Sequence, residues 1–259
     1  MSSDFKKLLT SQDIVLGTWS QIAAPEMIDL IGLNGFKFTI IDCQHGHFGI
    51  RTAENLARAA DANDLGVALR VSRNDPVEIM KALDAGVRYV VVPNIETVEE
   101  AETAVAATRF SPEGLRGACP CCRSGGHYIR NWETYVADEH DRTGAIALVE
   151  TQTGFENIKE ICAVSGLAGL MIGPFDLSVS MGFHGDWRRK EVFSAVEHMV
   201  RCGVEAGKYV IMPVFAPTHA ECKELVDHWS REGVRTFVVG SDKIIVAEAF
   251  SSWTSNISD

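Results

Sequence analysis

The amino-acid sequence predicts a single α/β domain, a (β/α)8 barrel, on three observations. Its 259 residues match the length of about 250 that such barrels commonly have. Eight short runs rich in β-branched residues recur along it, and most are followed by an amphipathic stretch of helical length. The runs themselves are nearly continuous in apolar residues, as in TIIDC, YVVVP and YVIMPV. That is the composition of parallel strands covered on both faces.

In chain order, the strands are predicted at 14–18, 36–42, 67–71, 89–93, 145–150, 169–173, 209–214 and 236–240. Helices are predicted at 25–33, 52–62 and 76–85, with Pro25 and Pro76 suited to a first helical turn. Further helices are predicted at 98–108, 154–164, 191–206 and 218–232. One stretch breaks the alternation. Residues 111–131 are rich in Gly, Pro and Cys (SPEGLRGACPCCRSGGHY) and precede a helix predicted at 132–140. A loop that long inside a compact domain is usually functional, so it is expected to lie over the active-site face. The late segment 243–253 reads as an apolar helix, packed either on a neighbouring subunit or on its own barrel. Nothing divides the chain, so residues 1–259 are read as one TIM-barrel domain.

Composition narrows the function. The chain is 46% hydrophobic and 23% charged, which is enough apolar material for a full core. A net charge of -11 argues against nucleic-acid binding, which needs a basic stripe. No apolar stretch reaches the ~18 residues of a membrane span, and the first residues lack the apolar core of a secretion signal. Seven cysteines, an odd count, then read as free thiols in a reducing cytoplasm.

Polar residues at the carboxyl ends of the strands carry the chemistry, because a barrel of this type builds its active site there. Glu150 ends AIALVE, and Asp176 follows a Gly-Pro turn that leads into the short helical stretch LSVSMG. Glu150 is open to two structural readings, a solvated carboxylate or a partner of Arg70; Asp176 is open to a helix N-cap role. Together on one rim they also suit a hard divalent cation, Mg²⁺ or Mn²⁺, with positions left for substrate and water. His45 lies just past its strand in DCQHGH, and Arg70 is the last polar residue of GVALRV. Arg70 needs an anionic partner, either Glu150 or a bound carboxylate or enolate. Cys119, Cys121 and Cys122 have C-x-C-C spacing with no second pair, which favours free thiols over a zinc site. Arg116, Arg123 and His127 in the same loop are weaker candidates for substrate contact. No lysine ends a strand, which counts against a Schiff-base mechanism.

Over nearly its whole length the chain resembles the HpcH/HpaI family of metal-dependent pyruvate aldolases, among them the 4-hydroxy-2-oxoheptanedioate and 2-dehydro-3-deoxyglucarate aldolases. The matching stretches include LGTWSQIAAPEMIDLIGLNGF, IIDCQHGHF, LRVSRNDPVEIMKALDAGVRYVVVPNIETVEEAE, VETQTGFENI and GLMIGPFDLSVSMGF. The resemblance implies Glu150 and Asp176 as metal ligands, with Mg²⁺ or Mn²⁺ favoured and Co²⁺ admitted. It implies His45 as proton acceptor and Arg70 as stabiliser of an enolate. Asp84 aligns with a residue that raises the basicity of the histidine, in assemblies whose subunits share the site. Asp42 stands beside that histidine, and the backbone amides of Phe175 and Asp176 receive the substrate carboxylate.

Three positions depart from the family. Leu148 stands where a glutamine usually donates to the keto acid, Gln44 replaces a glutamate, and Phe175 replaces a small residue. The implied reaction is reversible retro-aldol cleavage of a 4-hydroxy-2-oxoacid to pyruvate and an aldehyde, by way of a metal-bound pyruvate enolate. Two alternatives stand beside it: oxaloacetate decarboxylation, and a non-catalytic barrel that binds 2-oxoacids. The resemblance also implies a homo-oligomer, a hexamer, acting on small molecules.

Overall fold

The computed structural model describes residues 5–258. The strands are β1 (Val15–Ser20), β2 (Phe38–Asp42), β3 (Gly66–Arg70), β4 (Tyr89–Val92), β5 (Gly144–Val149), β6 (Gly169–Ile172), β7 (Tyr209–Val214) and β8 (Thr236–Ser241). They pair in parallel in chain order, and β8 closes on β1, forming a closed eight-stranded barrel in a single domain. Strand residues alternate between two apolar regions, as the two-residue period of a strand requires. Phe38, Ile40, Ala68, Ile146, Leu148 and Met171 fill the barrel interior. Ile41, Leu69, Val90, Ala147, Leu170 and Met212 face the helices instead.

The helical layer begins with α1 (Phe5–Leu9), which the sequence reading did not contain. Five residues are too few to show a helical period, but Phe5 is almost fully buried against the rings of Phe38 and Tyr89, both at 5.4 Å. α1 therefore packs at the amino end of the barrel. The outer helices α2 (Pro25–Leu33), α3 (Ile50–Ala62), α4 (Pro76–Asp84) and α5 (Val98–Ala107) lie close to their predicted ranges. Asp75 caps α4 through the amides of Val77 and Glu78. A reciprocal Thr97–Glu100 capping box opens α5.

After α6 (Trp132–Arg142), the single helix predicted at 154–164 is two, α7 (Gln152–Glu156) and α8 (Ile158–Ala163). The break falls at Asn157, whose side-chain amide donates to the Glu96 carbonyl at 2.8 Å. α9 (Pro174–Ser180), α10 (Lys190–Glu205), α11 (His219–Arg231) and α12 (Asp242–Ser258) complete the layer. Among the described residues, no helix is long and apolar enough to cross a membrane.

The Gly- and Cys-rich loop is not over the catalytic face of its own barrel. It connects α5 to α6 and so lies where helices return to the amino ends of strands. There Arg123 donates to the Ala85 carbonyl at 2.6 Å, just past the end of α4, and pairs with Asp61 near the end of α3. Buried Glu139 of α6 gathers Arg88, Arg116 and Arg142 at 2.6, 2.9 and 2.8 Å beside it.

Candidate active site

Strand parity decides which rim residues look into the barrel. Phe38 and Ile40 point inward, so Asp42 does too; Ala68 likewise brings in Arg70, and Ile146 with Leu148 brings in Glu150. Asp42 and Arg70 are also register partners across β2 and β3. Their side chains form a bidentate pair, Nε to Oδ1 at 2.9 Å and Nη2 to Oδ2 at 2.7 Å, with both residues buried. The anionic partner of Arg70 is thus Asp42, and not Glu150. The guanidinium also lies over the Trp19 ring, 4.2 Å from its centroid.

Asp42 does more than balance Arg70. It accepts the Gln21 side-chain amide at 2.8 Å and the backbone amides of Gln44 and His45 at 3.0 and 3.2 Å. Burial alone would raise its carboxyl pKa. The bonds and charge from Arg70, with those from Gln21 and His45, outweigh burial and hold it below the ordinary value. Asp42 meets His45 through the backbone, so it fixes the loop that presents the imidazole.

Glu150 follows β5 and is only 4% exposed. It accepts the Asn94 amide at 3.1 Å, where Asn94 takes a left-handed turn at φ 54°. Burial, then the negative charge of Asp176, push its carboxyl up to about 7. Gly173, which opens α9, makes this approach possible. A Cβ there would come within 2.6 Å of the Glu150 Cβ and 2.8 Å of Oε2.

A buried carboxyl whose ionisation is opposed by the charge of a second carboxylate, Glu150 beside Asp176, forms a site that a hard cation would neutralise. Among the described residues, no three or more His, Cys, Asp or Glu side chains group to hold a metal. A cation here would have two protein ligands and an otherwise open shell. The donor set fits Mg²⁺ or Mn²⁺ better than zinc, which favours nitrogen and sulfur.

His45, Arg70, Leu148, Glu150, Phe175 and Asp176 all line one cavity of about 510 Å³ at the carboxyl ends of the strands. Asp42 lies beneath it. Asp84 is elsewhere: it ends α4, on the amino side of β4, and accepts from Arg116 at 2.9 Å. Within one chain it does not join His45. The cysteines are free, Cys119 and Cys121 exposed on the far loop.

Trp19, Gln21 and Asp242 also belong to the site, although no motif in the sequence marks them. Asp242, buried, accepts the amides of Gln21 and Ile22 at 2.8–3.0 Å and so seats Gln21 over Asp42. The available signal was the true end of β1. A strand running to Ser20 puts Trp19 and Gln21 on the inner parity, whereas an end at Thr18 hides both.

Comparison with known proteins identifies the family. Residues 15–248 match the model of the HpcH/HpaI aldolase/citrate lyase family. The 5-keto-4-deoxy-D-glucarate aldolase of Klebsiella pneumoniae is 30% identical over 255 residues, covering 98% of this chain and 95% of that protein. The crystal structure of the citrate synthase SbnG superposes with a TM-score of 0.88 at 28% identity, covering 98% of this chain and 97% of that one. The Mycobacterium tuberculosis citrate lyase β subunit, complexed with oxaloacetate and magnesium, shares the fold at a TM-score of 0.62 and 16% identity, with 92% and 95% covered. The chain belongs to the HpcH/HpaI aldolase/citrate lyase family and is a carbon–carbon lyase.

Proposed function

We propose that the protein is a metal-dependent (class II) aldolase that reversibly cleaves a 4-hydroxy-2-oxoacid to pyruvate and an aldehyde. The observation that carries this reading is the meeting of Glu150 and Asp176 in one cavity with Arg70 and His45. A divalent cation held by the two carboxylates would supply Lewis acidity toward the keto oxygen. The magnesium in the citrate lyase β-subunit structure supports a cation of that kind.

The chain's own groups supply the rest. The amides of Phe175 and Asp176 lie in the first turn of α9, where N–H groups have no intrahelical acceptor, and they are the donors proposed for the substrate carboxylate. Arg70 brings positive charge to the oxygen on which negative charge develops, commonly the largest contribution to catalysis. Its orientation is fixed in advance by Asp42 and Trp19.

His45 is the proposed base for the C4 hydroxyl, since it lines the cavity with both carboxylates and a ring nitrogen can accept a proton and return it. As the hydroxyl proton leaves, the C3–C4 bond breaks, the aldehyde departs, and its electron pair remains on pyruvate enolate, which is then protonated at carbon. Leu148 offers no hydrogen bond to the keto acid, unlike the usual glutamine. Loss of one such donor costs on the order of 0.5–1.5 kcal/mol. Asp84 takes part in this scheme only if a second copy of the chain brings it to His45.

The test is exchange of the pyruvate methyl protons with solvent in the presence of Mg²⁺ or Mn²⁺, followed by pyruvate release from a panel of 4-hydroxy-2-oxoacids. A binding protein would give no exchange. A second reading, oxaloacetate decarboxylation, is favoured by the oxaloacetate bound to the citrate lyase β subunit. It needs no base for a hydroxyl, so His45→Ala should abolish aldol cleavage and spare decarboxylation.

A further inference from the structure

The cavity does not end at the barrel mouth. Beyond the two carboxylates it crosses the carboxyl edge of β7, where Met212 and Val214 face the helices, and enters a crevice between α10 and α11. Phe193, Val196, Leu225 and Trp229 wall that crevice, with the Phe193 and Trp229 rings 5.1 Å apart. The ionisable side chains of the lining, His45, Arg70, Glu150 and Asp176, stand at the other pole. Among the described residues no lysine lines the cavity, and the one lining arginine, Arg70, gives its Nε and Nη2 to Asp42.

We propose that this crevice receives an apolar chain on the aldehyde half of the substrate, so that the preferred 4-hydroxy-2-oxoacid carries an alkyl or aromatic group at C4. The proposal rests on the aldolase reading and names its substrate class. A glucarate derivative, the kind of substrate in the Klebsiella relative's name, carries a carboxylate at both ends. A second carboxylate entering this crevice would meet the aromatic and aliphatic side chains of Phe193, Val196, Leu225 and Trp229. The nearby Arg188, stacked on Trp187, is already paired with Glu221 at 3.0 Å, so burial of that carboxylate is strongly unfavourable. An alkyl or aryl group has the opposite preference, because each methylene taken out of water favours binding about fourfold. Continuity argues for this occupant: the crevice residues line the same cavity as His45, the proposed base for the C4 hydroxyl, and a cavity of about 510 Å³ is of the size that encloses extended small molecules.

The experiment is aldol addition of pyruvate, with Mn²⁺, to linear aldehydes from acetaldehyde to hexanal and to the anionic acceptors glyoxylate and succinic semialdehyde. Addition moves one proton from the pyruvate methyl to the new C4 oxygen and forms one carbon–carbon bond, with no redox change. The expected result is a kcat/KM that rises about fourfold per methylene and that for hexanal exceeds the anionic acceptors at least tenfold. Leu225→Lys should remove most of that rise, read as the ratio of hexanal to acetaldehyde. A flat or falling series, or preference for the anionic aldehydes, overturns the proposal. Methyl-proton exchange in the same preparation separates the two levels. Exchange with a flat series overturns this inference alone, and absence of exchange overturns the aldolase reading with it.

Discussion

Among single residues, Glu150 sets the pH behaviour. Its carboxyl moves from 4.5 to about 7 on folding, through burial first and the Asp176 charge second. The folded protein therefore holds this proton more tightly than the unfolded chain. The stabilisation is fully present below pH 4.5 and is lost as pH rises to about 7, an effect on the order of 3 kcal/mol. Metal-free protein should accordingly lose Tm between about pH 5 and 7 and change little above; a Tm that rises across that window contradicts the assignment. Cation binding needs the carboxylate, so titration calorimetry should show Mn²⁺ affinity gaining about tenfold per pH unit up to about 7, then levelling. Asp42 behaves oppositely, with a carboxyl held below its ordinary value. Asp42→Ala strands a buried Arg70, which typically costs about 3–5 kcal/mol and should lower Tm by roughly 10 °C. Gln21→Ala removes one bond to the same carboxylate and should cost about 1 kcal/mol.

At the level of elements, the site depends on how closely α9 approaches β5. Gly173 has φ −103°, which alanine tolerates, so any penalty for Gly173→Ala is steric and falls on Glu150. We expect at least a tenfold loss of Mn²⁺ affinity with an unchanged circular dichroism spectrum; unchanged affinity would show that the carboxylate has room to shift. Much of this arrangement was legible in the sequence, because β-branched runs ended in Asp42, Arg70 and Glu150 and strand parity turned all three inward. What was not legible has physical causes. The partner of Arg70 depends on the β2–β3 register, which a single strand does not carry. The split between α7 and α8 depends on Asn157 bonding to Glu96, sixty-one positions away in the chain. The composition of the loop at 111–131 suggests a lid, whereas its position after α5, on the return through α6 to β5, directs it to the amino ends.

At the level of the whole molecule, α12 is anomalous. In a closed barrel each helix buries one face against the sheet, yet from Lys243 onward none of the described side chains of α12 is fully buried. Phe250, Trp253 and Ile257 are 69%, 70% and 75% exposed and fall at i, i+3 and i+7, a single apolar stripe. A stripe of that kind marks a surface made for protein. Two aromatic side chains bury about 150–250 Å² each, so with Ile257 they supply a large part of the ~800 Å² that each partner gives to a stable interface. Light scattering should therefore return a mass that is a multiple of 28.3 kDa. The double variant Phe250→Glu, Trp253→Glu should shift it toward the single-chain value, since both positions are solvent-facing in the lone chain and the charges oppose only association. A wild-type mass of one chain would leave the stripe without a partner and Asp84 without a route to His45.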